Sequence, residues 1–350
     1  MRHGFGIHRF ADGDVYQGEF ADDKYHGVGT YTWANDAYYE GEFVNGKRSG
    51  HGVYHYASGS VYEGEWKEDM FNGHGVLKYN SGDTYDGEYL NDKRHGHGKY
   101  TWASGSWYEG AFANDLSDGY GVKHDADGNV YKGEWKEDER HGNGTMIYSD
   151  GSVYEGEWER NFRHGHGTYR YSDGDLYEGD FKEGKYHGQG KLTYSSGDVY
   201  YGEWADGKRN GTGVFSWVEG HLYQGEWKDD DYDGFGKMTY ASGAVYQGEW
   251  KDGYICGHGI YTYSTGDVYE GDFISDERNG FGKMTYTSGR IYEGEWVDGY
   301  EHGQGKETYG GYVRTGTFVK GKKEGKFIVY NKSYAGGTYT EYYKDDINIG

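Results

Sequence analysis

Proline is absent from this chain of 350 residues, and cysteine occurs once. A single thiol excludes an intrachain disulfide and fits a reducing compartment. Positive charge is also scarce: 36 Lys and Arg stand against 59 Asp and Glu, a formal net charge of −23. Phosphate recognition needs clustered Lys and Arg, so nucleic acid is excluded as a partner, as is bulk attraction to an anionic membrane. No apolar run approaches membrane-spanning length, and Met1-Arg2-His3-Gly4-Phe5-Gly6 reads as neither a signal peptide nor a myristoylation site. Sustained 3.6-residue periodicity bounded by caps is missing, which excludes helix as the main element. A cytosolic protein is expected.

What is present is glycine and aromatic side chain in strict phase. A content of 66 Gly would suggest disorder, but disordered chains are poor in aromatics and this one is 19% aromatic. A tyrosine returns every 23 residues from Tyr16, Tyr39 and Tyr62 to Tyr269 and Tyr292. With that tyrosine as position 0, position +2 is always Gly, +4 always aromatic, and Gly recurs at +11 and +13. Position +3 is acidic except at Ala111, and +17 aromatic except at Asp125. A fixed period of this kind marks an array of one supersecondary unit.

Positions 0, +2 and +4 share one face of an extended strand, which reads Tyr-Gly-Trp, while Glu at +1 and +3 lines the other. Between two rings, Gly leaves room for a neighbouring ring to lie on the backbone. A second run, such as Gly75-Val76-Leu77-Lys78-Tyr79, alternates likewise and ends in the turn Asn80-Ser81-Gly82-Asp83. The expected fold is all-β: an elongated, rod-like, single-layer twisted antiparallel sheet of stacked β-hairpins, on the order of 130 Å long at about 4.8 Å per strand. Aromatic rows packed between repeats would stabilise it. Regular repeats run over 1–309, and 310–350 hold degenerate capping repeats, where the register slips by one residue at Thr315-Gly316-Thr317-Phe318.

These phrases resemble the MORN repeat (membrane occupation and recognition nexus). Tyr154-Glu155-Gly156-Glu157-Trp158 and His164-Gly165-His166-Gly167-Thr168-Tyr169 carry the likeness, which covers Gly4 to Tyr309 in thirteen in-register copies. The resemblance implies hairpin arrays that act as scaffolds or adaptors. With no room for an added enzymatic domain, the chain looks like the MORN-only proteins of apicomplexan and kinetoplastid cytoskeletons, or axonemal radial-spoke components. It also implies homodimers through the C-terminal repeats, and a phosphoinositide or membrane affinity that transfers to no particular residue.

Candidate sites weigh against this repetition. Catalytic residues are singular, whereas nearly everything here recurs thirteen times, so no catalytic, cofactor-binding or metal site is expected and the protein reads as no enzyme. His26, His95, His141, His164, His187 and His302 share slot +10, but copies about 10 Å apart cannot share one zinc, whose bonds are about 2.0–2.3 Å. Cys256 and His258 could form half a site completed across a dimer, against the stronger reading of a structural cysteine. Asp125-Ala126-Asp127-Gly128-Asn129 opens like a calcium loop but lacks its Gly and Glu, and is a turn. The fifth copy, Tyr108 to Val130, departs at Ala111, Leu116, Asp118, Lys123 and Asp125; tolerated drift is favoured there over a flexible joint.

A basic run, Arg314, Lys320, Lys322, Lys323 and Lys326, reverses the local charge near the C-terminal end, fitting either edge protection or an anionic contact. The aromatic face is the broadest candidate, a groove marked by Tyr62, Trp66, Tyr79, Tyr154, Trp158, Tyr171, Tyr246, Trp250 and Tyr263. The expected function is that of a cytoplasmic, cytoskeleton-associated scaffold, self-associating at its C-terminal end and docking protein partners along the groove. The alternative is a peripheral membrane adaptor that binds phosphoinositides through the basic run.

Overall fold

The computed structural model describes residues 1–331, 333 and 337–350. Within them lie 31 β-strands and no helix, and the pairings are antiparallel throughout. The architecture is the expected all-β array of hairpin repeats. Two compact units are distinguished, Met1–Ser172 with Phe181–Gly184 and Asp173–Asp180 with Lys185–Gly350.

Each repeat pairs a short strand with a long one, for example Val61–Lys67 with Met70–Lys78. Their connection is a two-residue turn, Glu68-Asp69, with φ of 51° and 72°. Two consecutive positive φ values define the mirror-image turn whose twist matches that of the flanking strands. The link to the next repeat is wider. Tyr79 N–H donates to Asp83 O at 2.9 Å and Gly82 N–H to Tyr79 O at 3.0 Å.

Register explains the glycines. Gly64 lies opposite Gly75 within the repeat, and Gly75 opposite Gly87 of the next. Across this bare backbone lies Tyr62, the phased tyrosine of the same strand, rather than a ring from a neighbour. A Cβ on Gly75 would come within 2.4 Å of the Tyr62 hydroxyl, far inside van der Waals contact. The ring is fully buried, and its hydroxyl donates to Glu65 O at 2.9 Å. The +4 ring then wedges between successive phased tyrosines: Trp66 meets Tyr62 and Tyr39 edge to face at 5.3 and 5.1 Å. Its indole N–H donates to Gly52 O of the preceding copy at 3.1 Å. Such T-shaped contacts continue along the first unit to Tyr154 and Phe181, and along the second from Tyr177 and Trp204 to Tyr292 and Phe318.

Position +3 also has a structural role. The long strand carries extra residues at its Gly+11, which sits at φ +80° in Gly73. Glu65 folds over that bulge and accepts His74 N–H at 3.3 Å; Glu134 and Glu226 accept Asn143 and Phe235 N–H at 3.0 and 2.9 Å. Acid at +3 and Gly at +11 are thus one device, since a Cβ at Gly73 would strike the Glu65 carboxylate. Both turn rows are also tied to their successors, as in Arg48 N–H to Asp69 Oδ1 at 3.0 Å and Ala103 N–H to Asp83 Oδ1 at 2.7 Å.

Beyond Tyr309 the ring changes strands. Arg314 takes the tyrosine position, Gly316 keeps position +2, and Phe327 stands where Gly+13 would be, its ring lying over Gly316. The aromatic row continues through Phe318, Phe327 and Tyr343.

Gly75→Ala is expected to destabilise by about 1–3 kcal/mol through overpacking, and Tyr62→Phe by about 1 kcal/mol through one lost hydrogen bond, in that order in urea titrations. Burial, reinforced by neighbouring Tyr and Glu charges, pushes the Tyr16 phenol up to about 12; at Tyr108 burial, helped by the Asp138 and Asp118 charges, outweighs an opposing Ser117 hydrogen bond to the same effect. A raised folded value means stability is complete below about pH 10, the unfolded phenol value, and declines as pH rises towards 12. Loss of strand circular dichroism should therefore accompany tyrosinate absorbance in that window, rather than follow free phenol titration near 10.

Candidate docking face and C-terminal charge cluster

Six of the nine rings expected to mark the groove are interior. Tyr62, Trp66, Tyr154, Trp158, Tyr246 and Trp250 are 0–5% exposed. Tyr79, Tyr171 and Tyr263, all at +17, are half-buried and lean on the +15 ring or its neighbour, as Tyr263 does on Tyr261 at 4.5 Å. The ring at +17, joined at +15 by half-buried Tyr31, Tyr54, Tyr100, Tyr169 and Tyr261, thus lines the accessible aromatic surface, while 0 and +4 form its floor.

Position +9, where residue type varies too much from copy to copy to mark a column in sequence, covers that floor. Tyr25, Phe71, Tyr186 and Tyr232 stack on their phased tyrosines at 3.6–4.0 Å. Arg48, Arg94, Arg140, Arg163, Arg209 and Arg278 lay a guanidinium over rings instead, Arg48 at 4.2 Å from Trp66 and Arg209 at 4.4 Å from Trp227. Ile255 and Glu301 also fill the column, both 4% exposed. Ser117 is the exception. Together with Lys123 at +15 and Asp125 at +17 it leaves a recess of about 300 Å³ lined by Arg94, Tyr100, Trp102, Tyr108, Phe112, Ser117, Lys123, Trp135 and Asp138.

The same copy departs on the reverse face. Ala111 offers no carboxylate to its bulge, where Gly119 is at φ +107° and Tyr120 is 64% exposed. Strand register is nonetheless kept, with Gly110 opposite Gly121 and Gly121 opposite Gly133. Asp125 to Asn129 forms the ordinary inter-repeat turn, Asp125 N–H donating to Asn129 O at 2.9 Å.

The basic run is divided by the fold. Arg314 and Lys323 turn inward: Lys323 Nζ lies 3.2 Å from Glu307, and Arg314 Nε 3.1 Å from Glu341. Arg290 completes the cluster, donating to Glu301 at 2.7 Å and Glu307 at 2.8 Å. Burial works against ionisation of Glu307, yet the Arg290 and Lys323 partners win and hold its carboxyl below the usual range. Glu301 and Glu307 occupy +9 and +15, so this network replaces the aromatic cover at the last regular copy. Lys320, Lys322 and Lys326 face solvent, and Lys322 has Asp345 at 3.5 Å.

Cys256 lies opposite Glu249, while the His258 ring turns to Asp272 at 3.2 Å. Burial first, then the Glu249 charge, raises the thiol, which disfavours the thiolate a metal would need. Among the described residues no three His, Cys, Asp or Glu side chains are grouped to hold a metal ion, and no helix is long and apolar enough to cross a membrane.

Arg290→Ala would leave two buried carboxylates short of a partner and is expected to cost about 3–5 kcal/mol. The exposed pair broken by Lys322→Ala should cost about 0–1 kcal/mol. Denaturant midpoints of the two variants compare them directly.

Comparison with known proteins agrees with this geometry. The family model described as MORN repeat matches fourteen consecutive segments, from 1–15 and 16–38 through 269–289 and 292–312. No curated protein matches the chain. Among solved structures, the TCP10 domain of Danio rerio CPAP in complex with a peptide of Danio rerio STIL is 10% identical with a TM-score of 0.30, over 71% of this chain and 94% of that one. The SAS-4 (dCPAP) TCP domain of Drosophila melanogaster, in complex with a proline-rich motif of Ana2 (dSTIL), is 13% identical with a TM-score of 0.29, over 51% and 90%. A streptogramin B lyase reaches 10% and 0.14, over 83% and 90%. Likenesses this faint carry no argument about function. The repeat matches, however, span nearly the whole sequence, and the chain belongs to the MORN-repeat family.

Proposed function

We propose that this chain is a non-enzymatic scaffold: a cytoplasmic, cytoskeleton-associated protein that docks protein segments along its aromatic face and self-associates through its C-terminal repeats. MORN repeats suggest a protein-interaction or scaffold role. The observation that carries the finer reading is the division of labour among rings. Positions 0 and +4 are spent on the interior, while +17 recurs as an accessible ring in every copy but the fifth, on a backbone laced at both turn rows. A stiff, repeated surface of this kind suits multivalent docking. Self-association is supported by outward apolar side chains on the last strands, with Ile328, Tyr330, Tyr342 and Ile347 at 54, 49, 47 and 66% exposed.

Photo-crosslinkers placed at Tyr79 and Tyr263, compared with Glu63 on the reverse face, test docking in cells. Cytoskeletal protein adducts concentrated at the two tyrosine positions are expected; equal yields from both faces would overturn the reading. Light scattering should give twice 39.7 kDa for the chain and the monomer mass for a variant with Ile328→Lys and Tyr342→Lys. The lipid alternative rests on Lys320, Lys322 and Lys326, the members of the run left facing solvent. Reversing all three to Glu should leave sedimentation with phosphoinositide vesicles unchanged under the scaffold reading, and abolish it under the alternative.

A further inference from the structure

The recess in the fifth copy has a shape that the other copies define. Twelve of thirteen fill the +9 column with their own side chain, six of them with arginine. Those arginines show what the column recognises. Arg48 lies over the Trp66 indole at 4.2 Å, donates Nε–H to Asp69 Oδ1 at 3.2 Å and donates Nη2–H to Asp69 O at 2.9 Å. Arg209 repeats this on Trp227 and Asp230, at 4.4, 3.0 and 3.0 Å.

The same parts stand at the fifth copy without the arginine. Trp135 is the indole, and Asp138 is the turn residue supplying carboxylate and carbonyl. Ser117 uses only its backbone N–H on Asp138 Oδ1, at 2.7 Å, and no side-chain cation pairs with Asp138 among the described residues. Trp135 is 8% exposed, where Trp66, Trp158, Trp204, Trp227, Trp250 and Trp296 are 1–6%. Lys123 does not pre-empt the site, because its ammonium is 3.1 Å from Asp125 and forms a neutral pair with it.

We infer that this recess is a docking pocket for an arginine side chain presented by a protein partner. The inference rests on the scaffold reading and specifies one docking point within it. Charge complementarity selects the source: a chain of net charge −23 attracts basic segments, and a guanidinium has the planar fork that carboxylate and carbonyl together satisfy. Stacking on the indole adds a cation–π contact that an ammonium makes less well in this geometry.

Three capped tripeptides, Gly-Arg-Gly, Gly-Lys-Gly and Gly-Tyr-Gly, test it by titration into the full chain with indole N–H signals observed by NMR. The Trp135 signal is identified by its loss in Trp135→Phe. The arginine peptide alone should move it, with a dissociation constant in the low millimolar range for so small a probe, about −4 kcal/mol. Asp138→Asn should weaken binding about tenfold. Ser117→Arg fills the column from within and should abolish binding while raising the melting temperature. An equal response to the lysine peptide would reduce the effect to bulk charge, and a stronger response to the tyrosine peptide would make the recess an aromatic site; either overturns the inference. So does no response to any peptide at about 20 mM, well above that dissociation constant. If crosslinking at Tyr79 and Tyr263 succeeds while the arginine peptide fails, the scaffold stands without this pocket. If crosslinking fails, the wider reading falls first.

Discussion

Everything in this protein depends on a phenol ring lying flat across two glycines. Tyr62 over Gly64 and Gly75 leaves no volume for a Cβ on either strand, and this is repeated at each phased tyrosine. The contact solves the main difficulty of a single-layer sheet, which has no second layer to bury its apolar face. Folding the ring onto the backbone makes each repeat bury its own aromatic, and the +4 ring then joins one repeat to the next. A large apolar area is removed from water without a conventional core, and the edge-to-face geometry adds about 0.5–1.5 kcal/mol per ring pair.

The reverse face is organised by the same economy. An acidic residue at +3 could be taken for solvation alone, yet its carboxylate closes the bulge that Gly+11 opens. Where the acid is lost, at Ala111, the register survives because the tyrosine–glycine contact beneath is intact. Departures therefore accumulate where they do not touch the ring-on-glycine contact. The fifth copy changes +3, +9, +15 and +17 and keeps 0, +2, +4 and +13. Beyond Tyr309 even the ring's origin changes strands, but a ring on a glycine is retained in Phe327 over Gly316.

Charge is handled in two ways. Along the array, exposed acids alternate with Lys, Thr or apolar residues across strands, in high dielectric and at little cost. At the last regular copy, Glu301 and Glu307 enter the interior and are tolerated only because Arg290, Arg314 and Lys323 come with them. A cluster that reads in sequence as a basic patch is thus partly an internal counterion set.

The sequence by itself determined the repeat length, the hairpin unit, the lack of helical periodicity and the packing of aromatic rows between repeats. Each follows from local rules: alternation at period two, glycine where backbones approach, and turn residues at fixed offsets. Only the tertiary structure decided which Tyr lies on which Gly, that Glu65 serves Gly73, and that Ser117 leaves a gap in a column that larger side chains fill elsewhere. It likewise separated Arg314 and Lys323 from Lys320, Lys322 and Lys326. The physical reason is common to all of these. They are relations between strands, set by register and by a bulge that shifts pairing partway along each hairpin, and periodicity along one strand carries no record of which residue it faces.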